Sequence, residues 1–560
     1  MSVDLSSQTT EHPRARTSKA IRPLWAWTIA EAAAALRAGE FTPVELVEAH
    51  LARIGEIEGH LSAFIWLGAD AARAAAREAA AEMKRGLWRG PLHGMPYAVK
   101  DNYDVARIPA TAGSRLRLDH VPDCDADLVL HLREGGAILL GKLSTWEYGT
   151  GNGGEYFDLP FPPARNPWDT ARFTGGSSTG AGVAVAAGFV KFALGSDTTG
   201  SVRLPAAATG VVGMIPTFGR LSLAGILPNC YSLDVPGAFT WTAADAATVL
   251  AVLTEDASIK GVGKGLGGLR VGVVREVGPG MPEPDLAIKA ALDAGLQVLE
   301  RGGAMLVDLH LPVPAAECFA VSRFIGLPES AAIHEAELRD RPDAMGSALR
   351  DKLIAGSLVR AVDYITAQRR RREIAAAVDA MMRTIDVLVT FGALHLPPLL
   401  GVEPEMTAFT VETMLTPFNI SGHPALVQCT GFSEDGLPLH WQMVAGYGGE
   451  ETLIGAAAAY ESATSWRDCR PAPGAPPPPP GVAPVNAAGD HDSARRFARR
   501  HGLDRLKDAH LARLATFEDT VAATGLALAR PADKSTPPAP SFDIWDHGRN
   551  QPKTERKSRG

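Results

Sequence analysis

Two serines and a lysine carry the residue types that could do covalent chemistry in this chain. Ser177 lies in the turn Gly175-Gly176-Ser177-Ser178 and Ser201 in the turn Thr198-Thr199-Gly200-Ser201, 24 positions later. Small residues at such turns let backbone N–H groups approach a ligand, and glycine takes conformations that other residues resist. A serine presented in this way is a candidate nucleophile for acyl transfer, which also needs a base and donors for the oxyanion. Histidine is the usual base, but none of the 15 histidines sits in a local pattern that nominates it. His93, His423 and His440 fall in core-like segments and read as structural. A lysine can replace histidine if it is buried, because desolvation disfavours the charged form and lowers the pKa. Lys100 follows the apolar strand end Tyr97-Ala98-Val99, which permits burial, although alone it reads as readily as a surface lysine.

The elements around these residues form a repeating pattern. Gly182 to Gly188 is apolar and small, suited to a close-packed buried helix, and Val190 to Leu194 has the alternating, partly aromatic look of a buried strand. Upstream, Thr28-x-x-Glu31 and Thr42-Pro43-Val44-Glu45 are capping-box signals opening two helices, the first stopping near Gly39. A third alanine-rich helix spans about Asp70 to Lys84, a short strand ends at Lys100, and a helix from about Asp125 to Arg133 precedes the strand Ala137 to Leu140. Helix and strand signals alternate to about Ala463, which predicts a layered α/β fold.

Three other motif matches point elsewhere and are set aside. Gly176-Ser-Ser178-Thr-Gly180 fits a nucleophile elbow centred on Ser178, but the preceding stretch Asn166 to Arg172 is polar where a buried strand is required. Gly136 to Lys142 resembles a phosphate-binding loop, but Leu143 stands where a magnesium-binding hydroxyl is needed and the interior reads as strand. Gly149-x-Gly151-x-x-Gly154 lacks the flanking strand and helix of a dinucleotide site and reads as a loop near the active site.

Taken together, GMPYAVKDN around Lys100, GGSSTGAG around Ser177 and SDTTGSVRLPAA around Ser201 resemble the amidase signature family. ATAGS at Ala110, GAILLGKLSTWEYG at Gly136, VVGMIPTFGRLS at Val211 and PFNISGHPAL at Pro417 extend the likeness over most of residues 25 to 465. The resemblance implies a large mixed central sheet covered by helices on both faces. It implies a Ser-cisSer-Lys triad without metal or cofactor: Ser201 the nucleophile, Ser177 the proton relay behind a cis peptide after Gly176, and Lys100 the base. It implies an oxyanion hole at the N–H groups of Thr198, Thr199, Gly200 and Ser201. Ser178, Asp197 and Arg203 match bracing positions, and Gly176 a substrate-side position. One departure stands out: the usual pair of glycines before the nucleophile is Thr199-Gly200, and a β-branched residue resists positive φ. Glu412 stands where glutamine-hydrolysing members, the A subunits of tRNA-dependent amidotransferases, usually carry an aspartate for the substrate amino group. The readings this leaves are an amidase acting on a linear amide, such a glutaminase subunit, or a non-catalytic scaffold.

The bulk properties agree with a globular enzyme. The 560 residues are 46% hydrophobic and 21% charged, enough for a large core, and the net charge of −8 gives no support to nucleic-acid binding. Five scattered cysteines without metal-type spacing suit a reducing compartment, and no apolar leader or membrane-length run is visible, so a cytoplasmic protein is expected. The sequence divides into a disordered start (1–22), a catalytic domain (23–470), a proline-rich linker (471–488), a small helical appendage (489–530) and a disordered tail (531–560). The appendage carries two amphipathic segments expected to dock on the core or on a second protomer in a homodimer.

Overall fold

The computed structural model of the protein describes residues 22–151, 157–259, 265–476 and 491–529. Residues 1–21 of the expected disordered start, Gly154 of the glycine-rich loop, 477–488 of the proline-rich linker, 489–490 and 530 at the ends of the appendage and the whole tail (531–560) lie outside the described residues.

Eleven strands form one mixed sheet: β1 (Phe64–Leu67), β2 (Pro96–Lys100), β3 (Ile138–Leu143), β4 (Phe192–Asp197), β5 (Val212–Ile215), β6 (Val235–Thr240), β7 (Arg270–Val274), β8 (Met305–Asp308), β9 (Val387–Thr390), β10 (Ala425–Phe432) and β11 (Pro438–Ala445). Their order across the sheet is β1-β3-β2-β4-β6-β5-β10-β11-β9-β7-β8. β2 runs parallel to both β3 and β4, and β7 parallel to β8 and β9, while the centre from β4 to β9 is antiparallel. The inner strands β2, β4, β5, β6, β9 and β11 are buried at every position, β3, β7 and β10 are open at one position each, and solvent reaches the edge strands β1 and β8 most of all. Helices on both faces account for this, as the near-continuous apolar runs require.

Local signals act as their chemistry demands. Both capping boxes form, with Thr28 and Thr42 accepting from the N–H groups of Glu31 and Glu45, and the first helix ends at Gly39 with φ +74°. The small-residue stretch is the buried helix Thr179–Ala186. Its glycines permit close approach: a Cβ on Gly180 would lie 2.3 Å from the Ala63 carbonyl oxygen, and one on Gly182 2.8 Å from Thr209 Oγ1.

The two C-terminal segments are the helices Asp492–Arg500 and Asp508–Ala527, and they dock on the core within the same chain. Ala494, Ala498, Leu503, Leu506, Leu511 and Leu514 close a second apolar cluster with Leu349, Leu353 and Ile354 of the helix Ser347–Ser357. Among the described residues no helix is long and apolar enough to cross a membrane.

Candidate active site

The sheet register brings the chemistry together. With Val99 of β2 opposite Leu194 of the parallel β4, both strands end on the same edge. β2 ends at Lys100 and β4 at Ser196 and Asp197. The Thr179–Ala186 helix starts at that edge and carries Ser177 and Ser178 just ahead of it.

Lys100 is fully buried, and its Nζ lies 2.7 Å from Ser177 Oγ and 3.0 Å from Ser196 Oγ. Asn102 Nδ2 donates to the same Ser196 hydroxyl at 3.1 Å. Burial brings the Lys100 ammonium from its ordinary 10.5 down to about 7, against the opposing pull of Asp234 and Asp197. The Gly176–Ser177 peptide is cis. A Cβ on Gly176 would lie 2.2 Å from the Trp146 ring, so this position admits only glycine without rearrangement.

The second turn is braced from below. Ser178 N–H donates to the Ser201 carbonyl at 3.2 Å, tying the two serine turns together, and Ser178 Oγ donates to the Ser196 carbonyl at 3.2 Å. Asp197 is buried and grips the turn: Gly200 N–H donates to Oδ1 at 2.7 Å and Val202 N–H to Oδ2 at 3.0 Å. Arg203 faces it with Nε 3.1 Å from Oδ2 and Nη2 3.1 Å from Oδ1, and donates onward to Gln442 and the Leu415 carbonyl. Burial alone would raise the Asp197 carboxyl, but the Arg203 guanidinium and the hydrogen bond from Asn419 hold it below the usual carboxylate value.

One sequence expectation needs revising at this turn, and one departure from the family pattern finds its place. The Gly200 N–H, expected among the oxyanion donors, is committed to Asp197, because the carboxylate sits beneath the turn and takes the nearest amide. Thr199 is not among the described non-glycine residues with positive φ; Gly200 carries that conformation, at +131°. The β-branched residue therefore fits without distorting the turn. Glu412 is also not brought to the site: its Oε2 lies 2.7 Å from His395 Nε2, and only its neighbours Thr410 and Val411 reach the cavity.

A cavity of about 570 Å³ opens on the turn, lined at its base by Trp146, Gly176, Thr198, Thr199, Gly200 and Ser201. Gly149 and Gly151 of the glycine-rich loop line it too, as a loop near the site should, whereas Lys142 of the phosphate-loop match is buried against Asp101 at 2.9 Å.

Sequence reasoning missed a second layer. Thr198 Oγ1 donates to Asp234 at 2.6 Å and accepts from Asn229 Nδ2 at 3.1 Å, while Lys352 Nζ donates to Asn229 Oδ1 at 2.5 Å. Burial lowers the Lys352 ammonium to about 8 and raises the Asp234 carboxyl. Ser196, Asn102 and Asn419 lay inside quoted motifs and were within reach of the sequence; Asn229, Asp234 and Lys352 had no local signal.

The Amidase family matches residues 45–454. The A subunit of glutamyl-tRNA(Gln) amidotransferase from Chloroflexus aggregans (strain MD-66 / DSM 9485) is 34% identical over 482 residues, covering 79% of this chain and 98% of that protein. An amidase of Pseudomonas putida is 37% identical, covering 79% of this chain and 97% of its own. Among solved structures, 6-aminohexanoate cyclic dimer hydrolase complexed with substrate superposes with a TM-score of 0.72 at 28% identity, over 80% of this chain and 99% of that one.

Proposed function

The chain belongs to the amidase family and is an amide hydrolase; from that premise we propose that it cleaves a carboxamide C–N bond through an acyl-enzyme on Ser201. The observation that carries this reading is Lys100, buried, 2.7 Å from Ser177 Oγ and brought to about 7, so that a large fraction is neutral and able to accept a proton near pH 7.

In the first half-reaction Ser201 Oγ attacks the amide carbonyl carbon and its proton passes to Ser177 Oγ, whose own proton moves to Lys100 Nζ. The tetrahedral oxyanion is received by the N–H groups of Thr198, Thr199 and Ser201; in measured hydrolases one such donor is worth roughly 2.7–4 kcal/mol. Asp197 holds the turn by taking the Gly200 and Val202 amides and leaves these donors for the substrate. The proton then returns through Ser177 to the leaving nitrogen, the C–N bond breaks and ammonia or an amine departs. Water repeats the sequence on the ester and releases the carboxylate.

The amidotransferase relative lends weight to a glutaminase working beside partner proteins. Glu412, the residue the resemblance would give to the glutamine amino group, is occupied by His395 outside the cavity lining, which favours direct amide hydrolysis. A scaffold that lost activity rested on Thr199 alone, and the turn accommodates Thr199.

The test is covalent labelling of the full chain with a serine-directed fluorophosphonate, followed by peptide mapping. Labelling at Ser201 that disappears in Lys100→Ala and weakens in Ser177→Ala is the expected result. An adduct on Ser178, or none on a folded protein with either the probe or its smaller homologues, refutes the proposal.

A further inference from the structure

Part of the cavity wall lies beyond the family-matching stretch of the chain. Arg513, Phe517, Thr520, Val521 and Thr524 all line it, and all lie on the helix Asp508–Ala527, beyond the matched residues 45–454. Their spacing of four, three, one and three places them on one face of a helix. A neighbouring face of the same helix carries the buried residues His510, Leu511, Leu514 and Gly525, so docking and cavity-lining are divided between two stripes.

The helix is held at both ends. Near its start, Leu511 and Leu514 enter the second apolar cluster, and Arg513 Nε donates to Asp351 Oδ2 at 2.8 Å. Near its end, Gly525 passes so close to the helices Ala315–Ile333 and Ala361–Met382 that a Cβ would lie 2.9 Å from Asp363 Oδ2 and 3.3 Å from Phe324. Between these anchors the Arg513 guanidinium lies 4.9 Å from the Phe517 ring centroid, which fixes the ring at the cavity wall. Phe319 and Val411 also line the cavity, from the helices Ala315–Ile333 and Glu403–Val411.

We infer that the C-terminal helix is a specificity element: Phe517 and Val521 form a subsite for the apolar, ring-sized substituent of an amide whose carbonyl sits at Ser201. The inference rests on the amide-hydrolase reading and deepens it. A cavity of about 570 Å³ falls in the range that encloses a drug-sized ligand, far beyond the needs of a two- or three-carbon amide. The surface that the helix adds to it contributes an aromatic ring and a branched alkyl group.

The experiment compares kcat and KM for propionamide and 4-phenylbutyramide in the full chain and three variants. Val521→Trp fills the subsite and is expected to raise KM for 4-phenylbutyramide about tenfold or more, with propionamide kcat/KM unchanged within about twofold. Phe517→Ala removes the ring contact and is expected to reduce discrimination in favour of 4-phenylbutyramide by about tenfold. Glu518→Ala, on the exposed side of the helix, is expected to change neither substrate. Should Val521→Trp fail to fold, judged by its melting transition, Phe517→Ala decides by the same ratio. A ratio between the two amides that does not move, or a wild type that hydrolyses propionamide and not 4-phenylbutyramide, overturns the inference alone. A wild type that cleaves neither amide and takes no fluorophosphonate at Ser201 removes the underlying reading and this inference with it.

Discussion

If Lys100 is the base, its neutral fraction governs the rate, and its value of about 7 sets the shape of the pH profile. The neutral form is the active one, so kcat/KM falls on the acid side. At a pKa of about 7 roughly a tenth of the enzyme is competent at pH 6, half at pH 7 and nine tenths at pH 8. kcat/KM for an amide that does not titrate should thus rise about fivefold from pH 6 to 7, less than twofold from 7 to 8, and then level. An exposed lysine near its ordinary 10.5 would instead produce a tenfold rise per unit across the whole range. The assay is ammonia release from propionamide at substrate well below KM, between pH 5.5 and 9. Lys352, brought to about 8, is the other buried amine near the site, and Lys352→Met should leave the inflection near 7. Lys100→Arg keeps a charge that cannot be removed in this range and should cost about 10²–10⁴-fold in kcat with the fold intact. A rise that continues tenfold per unit beyond pH 8, an inflection that moves with Lys352, or a Lys100→Arg enzyme within tenfold of wild type would each refute the assignment.

The remaining predictions concern the turn and its surroundings. Gly200→Ala places a Cβ 2.8 Å from Leu415 Cδ1 at φ +131° and should lower the unfolding free energy by about 1–3 kcal/mol, read from denaturant midpoints, with weaker labelling of Ser201. Arg203→Met leaves Asp197 buried without its cation and should destabilise by about 3–5 kcal/mol near neutral pH. Because Asp197 is held below its ordinary 3.8, the native pair contributes fully above that value and loses its contribution as pH falls further, so the gap between wild type and variant should narrow in acid. Glu412→Gln should leave kcat/KM for amides within about twofold, since its carboxylate faces His395; a loss of tenfold or more confined to glutamine would restore the glutaminase reading.

Much of the fold was legible because its signals are local. The capping boxes at Thr28 and Thr42 are chemistry within four residues, and both form. The run of glycine and alanine from Thr179 to Ala186 could only be a helix that other elements approach closely, and a Cβ at Gly180 or Gly182 would collide with backbone or side-chain atoms. The departure at Thr199 was left open for an equally physical reason: residue type tells which conformations are costly, but not which residue of a turn must adopt them, and Gly200 does. The Gly200 amide and Glu412 were misplaced because a motif gives no direction to an N–H or a carboxylate. Those directions came from Asp197 beneath the turn and from His395 across a loop.

By itself the sequence determined which residues could act: two serines on small-residue turns, a lysine at an apolar strand end, and the helices and strands whose periods are written in short stretches. Tertiary structure alone decided that Lys100 meets Ser177, 77 residues away, because the parallel register of β2 and β4 opens both strand ends on one edge. Burial there lowers its proton affinity, a desolvation that the apolar strand end permits but does not supply by itself. Asn229 and Lys352 beside Thr198, and the helix Asp508–Ala527 in the cavity wall, belong to the same class. Desolvation and cavity shape are sums over residues distant in the chain, and only the folded molecule performs that sum.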